Sequence, residues 1–99
     1  MFEHVVLIKV KEEFTPDRQE EAVKKSLAFK EQIPGIVSLS AGINVLKGTE
    51  HGQGFALAIR VTFEDEQACR DYNVHPAHLS FLQELKPFIE DILVADYPF

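Results

Sequence analysis

The sequence has one cysteine, no tryptophan and no long apolar run. With Cys69 alone, no disulfide can form within the chain, and its place in a predicted helix indicates a small buried hydrophobe. No segment approaches the roughly 20 apolar residues of a membrane-spanning helix. The apolar amino terminus is too short for a signal-peptide core and is interrupted by Lys9. We therefore expect a cytoplasmic protein that does not enter a membrane.

Positive charge is also scarce. Ten lysines and arginines stand against sixteen acids, so the formal net charge is −6. The arginines are scattered at Arg18, Arg60 and Arg70, and no glycine-rich phosphate-binding motif occurs. A nucleic-acid partner would need a basic stripe that neutralises phosphates, which this chain lacks. We expect neither nucleic acid nor an anionic membrane as a partner.

The order of the predicted elements indicates one α+β domain that covers residues 1–99. A chain of 99 residues with 45% hydrophobic residues has the size and composition of a single globular domain. Right-handed crossovers fold the order strand, helix, strand, strand, helix, strand into a ferredoxin-like four-stranded antiparallel sheet with its helices on one face. The strands are predicted at residues 2–10, 36–46, 55–63 and 89–97, and the helices at residues 15–33, 64–72 and 75–87.

Helix boundaries and helix faces follow from local signals. Thr15 suits the N-cap position, with Pro16 as the first helical residue, and Pro34 and Gly35 end the first helix. Glycines make the segment 47–54 a flexible hairpin loop. The inward-facing residues of the helices are predicted to be Ala22, Val23, Ser26, Leu27, Phe29, Ile33, Leu79, Leu82 and Leu85.

Both faces of the predicted sheet carry aliphatic side chains, although the helices can cover only one of them. Soluble monomers rarely leave such a face in water. We therefore expect a homodimer that packs sheet against sheet into a dimeric α+β barrel. The small residues Gly42, Ala56 and Ala58 would leave room for an apolar cavity between the sheets.

Four segments carry a resemblance to a known family. They are residues 4–7 (HVVL), 32–35 (QIPG) and 61–65 (VTFED), and Asp71-Tyr72 followed by His-Pro-Ala-His at 75–78. With these segments the chain resembles the stress-responsive α/β-barrel (Dabb) family over essentially its whole length. The resemblance implies a dimeric barrel, and many members of the family have no assigned activity.

The resemblance also implies roles for three residues. In a plant polyketide cyclase of this family, the residue matching His78 is the general base and the residue matching Tyr72 stabilises developing negative charge. His4 matches a histidine that lines the same pocket. Where the family commonly has an aromatic residue, threonine and histidine in the third strand, this chain has Phe55, Ala56 and Leu57. An apolar pocket wall at this place changes the substrate that the resemblance implies.

The residues themselves support both a chemical and a structural interpretation. His78 lies about three residues into its helix, where the positive end of the dipole disfavours the imidazolium and leaves a neutral base. A nearby hydroxyl of Tyr72 would then donate to an enolate oxygen. The alternative is that both side chains only pack. His75, immediately before Pro76, is predicted to be a helix cap, and His4 a buried histidine whose polar atoms are satisfied.

No metal or other cofactor is expected. His75 and His78 have a spacing that two metal ligands can use, but a catalytic zinc site needs three protein ligands and no third one stands out. His51, in the glycine-rich loop, is expected to be solvated.

Three functions fit these observations. The one we favour is a dimeric protein, stress-related or of unassigned role, that binds a small apolar ligand through His4, Leu57 and Phe81. The second is a cofactor-independent lyase, cyclase or isomerase that acts on a polyketide-like carbonyl compound through His78 and Tyr72. The third, a cofactor-free monooxygenase, rests on fold analogy alone.

Overall fold

The computed structural model describes residues 1–99. Its four strands are β1 (Phe2–Val10), β2 (Ile36–Ile43), β3 (Leu57–Phe63) and β4 (Ile89–Pro98). Its helices are α1 (Pro16–Leu27), the single turn α2 (Phe29–Gln32), α3 (Glu66–Val74) and α4 (Pro76–Leu85), and a 3-10 turn at Lys86–Phe88 leads into β4.

The strands form one antiparallel sheet in the order β2-β3-β1-β4. The sheet has β1 and β3 at its centre and β2 and β4 at its edges. The helices pack on one face, as the buried pattern of β1 and β3 shows. The predicted ferredoxin-like βαββαβ fold is therefore confirmed.

Alternation along the strands assigns each side chain to a face. In the register, His4 lies opposite Val61 on β3 and Asp96 on β4, and this row faces the helices. Leu57 also belongs to the helix-facing set and is buried. Ala58 lies on the outer face. The large apolar side chains of β3 thus face the helices, and Ala58, Arg60 and Thr62 face outward.

Capping positions agree with the local signals. The hydroxyl of Thr15 accepts a hydrogen bond from the backbone N–H of Arg18, and Pro16 begins α1. Asp65 caps α3 in the same way by accepting from the N–H of Ala68 at 2.9 Å. The helix predicted to begin at residue 64 therefore begins two residues later, because Asp65 serves as its cap.

The prediction that Leu27 and Leu79 face inward was wrong. Leu27 is 41% exposed and Leu79 is 50% exposed. The first helix breaks at Ala28, which turns Phe29 and Ile33 inward and leaves Leu27 in solvent. Each helical residue advances by about 100°, so a stripe of His78, Phe81 and Leu85 places Leu79 on the outer side of α4.

The predicted bounds of β2 and β3 were too long. A residue inserted between Ile36 and Ser38 interrupts the pairing with β3 and directs Val37 outward. Beyond Ile43 the chain leaves the sheet, and the side-chain amide of Asn44 donates to the carbonyl oxygen of Phe55 at 2.9 Å. This contact closes the loop where sequence alternation indicated continued strand.

Cys69 lies inside α3 and is buried, as predicted. None of the helices has the combination of length and apolar character that crossing a membrane requires.

Gly35 connects α2 to β2 in a conformation that only glycine adopts easily. Its φ is +88°, and an added Cβ would lie 2.7 Å from the Cβ of Ala68 on α3. We expect Gly35→Ala to lower the free energy of unfolding by more than about 1 kcal/mol, because strain at positive φ adds to the clash. Urea denaturation measures this change. The matched variant Gly48→Ala, with open space at its Cβ position, should change stability little, and equal effects of the two substitutions would contradict the interpretation.

Candidate functional site

The junction between α3 and α4 positions the residues of interest. His75 has an extended backbone (φ −66°, ψ 138°), and Pro76 follows as the first residue of α4. The Nδ1 atom of His75 accepts a hydrogen bond from the backbone N–H of Ala77 at 3.1 Å. His75 therefore caps α4, as predicted. This cap places His78 in the first turn of α4, directed toward the sheet.

A cavity of about 210 Å³ lies between the sheet and the α3–α4 pair, within one protomer. The ligand cavity was expected between the two sheets of a dimer. The structure places the polar groups on the helix-facing side instead, because His4 lies on the same face of β1 as the buried Val6 and Ile8. The lining residues are His4, Val6, Ile8, Ile59, Tyr72, Asn73, His78, Phe81, Leu82, Ile92, Val94 and Asp96.

His78 is held as a neutral base. Its Nδ1 lies 3.2 Å from the backbone carbonyl oxygen of Asn73 and donates to it. A carbonyl can only accept, so Nδ1 carries the proton and Nε2 keeps its lone pair. Burial lowers the pKa of His78, the nearby His4 and His75 add to that effect, and the Asn73 hydrogen bond opposes it. The direction predicted for this pKa is confirmed, but burial is its main cause.

Tyr72 lies beside this base. Its ring centroid is 4.3 Å from that of His78, and its side chain is 2% exposed. Burial raises the pKa of the Tyr72 hydroxyl, so this group stays protonated near neutral pH. The protein offers the hydroxyl no hydrogen-bond acceptor, and the oxygen is not sealed away from the cavity. Tyr72 therefore presents a free hydrogen-bond donor next to His78.

Sequence reasoning missed the partner of His4. Asp96 lies opposite His4 in the β1–β4 register, and its carboxylate is hydrogen-bonded to Nδ1 of His4. The only signal in the sequence is a single acid that continues the alternating set Ile92 and Val94. His4 was predicted to be a buried histidine with hydrogen-bonded polar atoms. In the structure it is buried, and Asp96 is its hydrogen-bond partner.

The other two residues predicted to contact a ligand, Phe81 and Leu57, lie in different parts of the structure. Phe81 is buried and lines the cavity that contains His78. Leu57 packs in the core and does not line that cavity. It borders instead a cleft of about 360 Å³ with Leu7, Ala58 and residues of the loop after β2. Leu57 therefore does not form a wall of the His78 cavity.

A cluster of possible metal ligands occurs where none was predicted. The donor atoms of His4, Cys69 and Asp96 all lie within 4.8 Å of one another. Burial, together with the negative charge of Asp96, raises the pKa of the Cys69 thiol to about 11. A thiol must lose its proton to bind a metal, and Nδ1 of His4 already contacts Asp96. Metal binding here would have to displace the Cys69 proton and the contact between His4 and Asp96.

The fold and the cavity together define a class of protein. It is a ferredoxin-like α+β domain that holds an unprotonated imidazole nitrogen and a free phenolic hydroxyl in one largely apolar cavity. The chain belongs to the stress responsive A/B barrel domain family, whose model matches residues 2–99.

Individual proteins are similar to this chain in sequence or in fold. Olivetolic acid cyclase from Cannabis sativa is 31% identical over 94 residues, which cover 95% of this chain and 92% of the cyclase. The crystal structure of At3g17210 from Arabidopsis thaliana is 28% identical with a TM-score of 0.86, and the match covers 100% of this chain and 95% of that one. A dimeric ferredoxin-like protein of unknown function from Thermobifida fusca shares the fold at 19% identity, with a TM-score of 0.85 over 99% of this chain and 90% of that one.

The lowered pKa of His78 should make the stability of the protein depend on pH. We expect its ring to titrate below 6.5, its ordinary value, in an NMR titration assigned with the variant His78→Gln. As the pH falls below 6.5, the His78 ring of the unfolded chain takes up a proton while that of the folded protein stays neutral. The free energy of unfolding should therefore fall as the pH is lowered through this window. His78→Gln should lose this part of the pH dependence. A midpoint above 6.5 would contradict the buried neutral base.

Proposed function

We propose that this protein is a cofactor-independent acid–base catalyst, a lyase or cyclase, for a small and mainly apolar carbonyl compound. The observation that carries the proposal is the pairing of an unprotonated Nε2 on His78 with an unpartnered hydroxyl on Tyr72 in the same cavity. A general base and an oxyanion donor side by side are the two groups that enolate chemistry requires.

The chemistry follows from the protonation of the two groups. Nε2 of His78 removes a proton from the carbon next to the substrate carbonyl, and the electron pair of that C–H bond forms the enolate. The Tyr72 hydroxyl donates a hydrogen bond to the enolate oxygen. In an aldol closure the enolate carbon attacks a second carbonyl of the substrate, and the new alkoxide takes the proton back from His78. No external oxidant or reductant enters this sequence.

The environment strengthens both roles. A buried hydrogen bond to a developing oxyanion is worth more than one in water, because the local dielectric is low. Burial lowers the pKa of His78 and raises that of Tyr72, so base and donor hold opposite protonation states at neutral pH. The His4–Asp96 pair lines the same cavity and offers a second polar contact to a substrate.

The cavity also restricts the substrate. A water molecule takes up about 30 Å³ in the liquid. If each heavy atom of a ligand needs a similar share, a cavity of about 210 Å³ holds about seven of them. Eight of the twelve lining residues are aliphatic or aromatic, which favours an uncharged carbonyl compound with a short alkyl part. The cyclase relative is 31% identical, which supports the reaction class more than the particular substrate.

The second candidate is a ligand-binding protein without turnover, related to the stress response. One observation favours it: Leu57 lies in the core at a place where the family resemblance implies a polar pocket wall. A relative named as the stress-response A/B barrel domain-containing protein HS1, from Arabidopsis thaliana, is 30% identical over 94 residues. In this case the same cavity holds an apolar ligand, and His78 only packs.

Exchange of hydrogen for deuterium separates the two candidates. Methyl butyl ketone in D₂O should exchange its α-protons faster with the protein than without it, as measured by NMR. His78→Ala should abolish the acceleration, and Tyr72→Phe should lower it by about 10²-fold, the loss typical of one oxyanion donor. Binding of the ketone by Tyr72→Phe should change little. If the wild-type protein binds the ketone without accelerating exchange, the ligand-binding candidate replaces the catalytic one.

We further propose that two copies of the chain associate through the outer face of the sheet. Gly42, Ala58, Leu7 and Leu93 form an apolar row across all four strands, and Leu93 is 54% exposed. A row of this kind favours burial against a second sheet. The Thermobifida fusca relative of the same fold is described as dimeric, which supports this assembly.

A charge at the centre of this row tests the assembly. We expect the wild-type protein to sediment at about twice 11.2 kDa, and Ala58→Lys to sediment near 11.2 kDa, because an unpaired lysine would have to be desolvated at the interface. Gln83→Lys adds the same charge on the exposed side of α4 and should leave the dimer intact. A wild-type monomer, or a dimer that tolerates Ala58→Lys, would contradict the outer-face interface.

A further inference from the structure

A second cavity lies beyond one wall of the His78 cavity. It measures about 230 Å³ and occupies the space between α1, α4 and the 3-10 turn. Its apolar lining consists of Phe14, Ala22, Phe81, Leu85 and Phe88. None of the polar residues of the candidate site borders it. We call it the inter-helix chamber.

Phe81 is the one residue that lines both cavities. Its side chain is 6% exposed, and its ring packs edge to face on Phe29 with 5.3 Å between centroids and an angle of 87°. Neighbouring residues of α4 each border one space only: Leu82 lines the His78 cavity, and Leu85 lines the inter-helix chamber. The Phe81 ring therefore forms part of the boundary of both the His78 cavity and the inter-helix chamber, and its other side borders an open groove beside Phe29 and Ala77.

The far rim of the chamber is polar, while its floor is apolar. Lys25 forms an ion pair with Glu84 at 2.6 Å, and the Arg18 guanidinium lies 5.1 Å from the centroid of Phe88. Among the lining residues, Arg18 and Lys25 are balanced by Glu21 and Glu84, so the chamber has no net charge that would attract an ion of either sign. An alkyl chain is the ligand chemistry that such a lining accommodates.

We propose that Phe81 determines the length of the ligand that the His78 cavity accepts, and that the inter-helix chamber accepts the ligand's alkyl tail once this ring is shortened. The inference rests on the proposed function for the position of the carbonyl head beside His78 and Tyr72. In the wild-type protein the Phe81 ring stops the tail. Phe81 is thus a specificity-determining residue and not a catalytic one.

A series of methyl n-alkyl ketones, from methyl ethyl to methyl octyl ketone, tests the proposal by binding alone. The NMR shift of the His78 ring reports occupancy of the cavity by the head group. Each buried methylene should improve affinity by up to about fourfold. For the wild-type protein the improvement should stop near methyl butyl ketone, which has about the seven heavy atoms that the cavity holds. For Phe81→Ala it should continue to methyl octyl ketone.

Two matched variants identify the space that receives the tail. Leu82→Ala enlarges the His78 cavity without removing its wall, so it should extend the series by no more than the atoms deleted. Ala22→Leu fills the inter-helix chamber from the opposite side. It should cancel the gain of Phe81→Ala in the double variant and have no effect in the Leu82→Ala background. Phe81→Leu, which keeps an apolar side chain in the core, should show a smaller extension and replaces Phe81→Ala if that variant does not fold.

The outcomes separate this inference from the proposed function. If short ketones bind near His78 but Phe81→Ala and Phe81→Leu stop at the same chain length as the wild-type protein, Phe81 is not the limit and the inference fails alone. A gain that persists in the Phe81→Ala, Ala22→Leu double variant also overturns it. If no ketone binds to any variant, both the inference and the proposed carbonyl site are wrong.

Discussion

Tyr72 is packed against four aromatic rings that come from four different elements. His4 of β1, Phe29 of α2, Phe63 of β3 and His78 of α4 have ring centroids between 4.3 and 6.4 Å from neighbouring rings of this cluster. Burial of so much aromatic surface, with tilted and edge-to-face contacts, joins the helices to the sheet. The same burial raises the pKa of the Tyr72 hydroxyl. Structural packing and the chemistry of the candidate site therefore depend on the same contacts.

The two faces of the sheet divide the properties of the molecule. The helix-facing side carries the row Val61, His4 and Asp96, and with it the polar groups of the cavity. The outer side carries an apolar row at one end. At the other end Thr62 donates to Glu3 at 2.5 Å. Because strand side chains alternate between faces, a one-residue change of register would exchange these two surfaces. The register thus separates the proposed catalytic cavity from the proposed interface.

Much of this arrangement was predictable from local patterns. Alternation identified the four strands, and the succession of elements identified the ferredoxin-like order. Cap signals at Thr15 and His75 were read correctly, because a cap involves only residues within three positions of one another. The depressed pKa of His78 was also predicted, although from the helix terminus and not from burial. The short motif around residues 71–78 indicated Tyr72 and His78 as the residues of interest.

The elements, their order and the residues able to do chemistry could be predicted from the chain alone, since these depend on contacts between near neighbours. Which surfaces those residues share depends on the three-dimensional packing. Asp96 meets His4 across 92 positions, and the carbonyl of Asn73 selects the tautomer of His78 whatever side chain residue 73 carries. The place of the cavity, inside one protomer between helices and sheet, depends on how α3 and α4 pack. Such packing is set by shapes that meet only after the chain has folded.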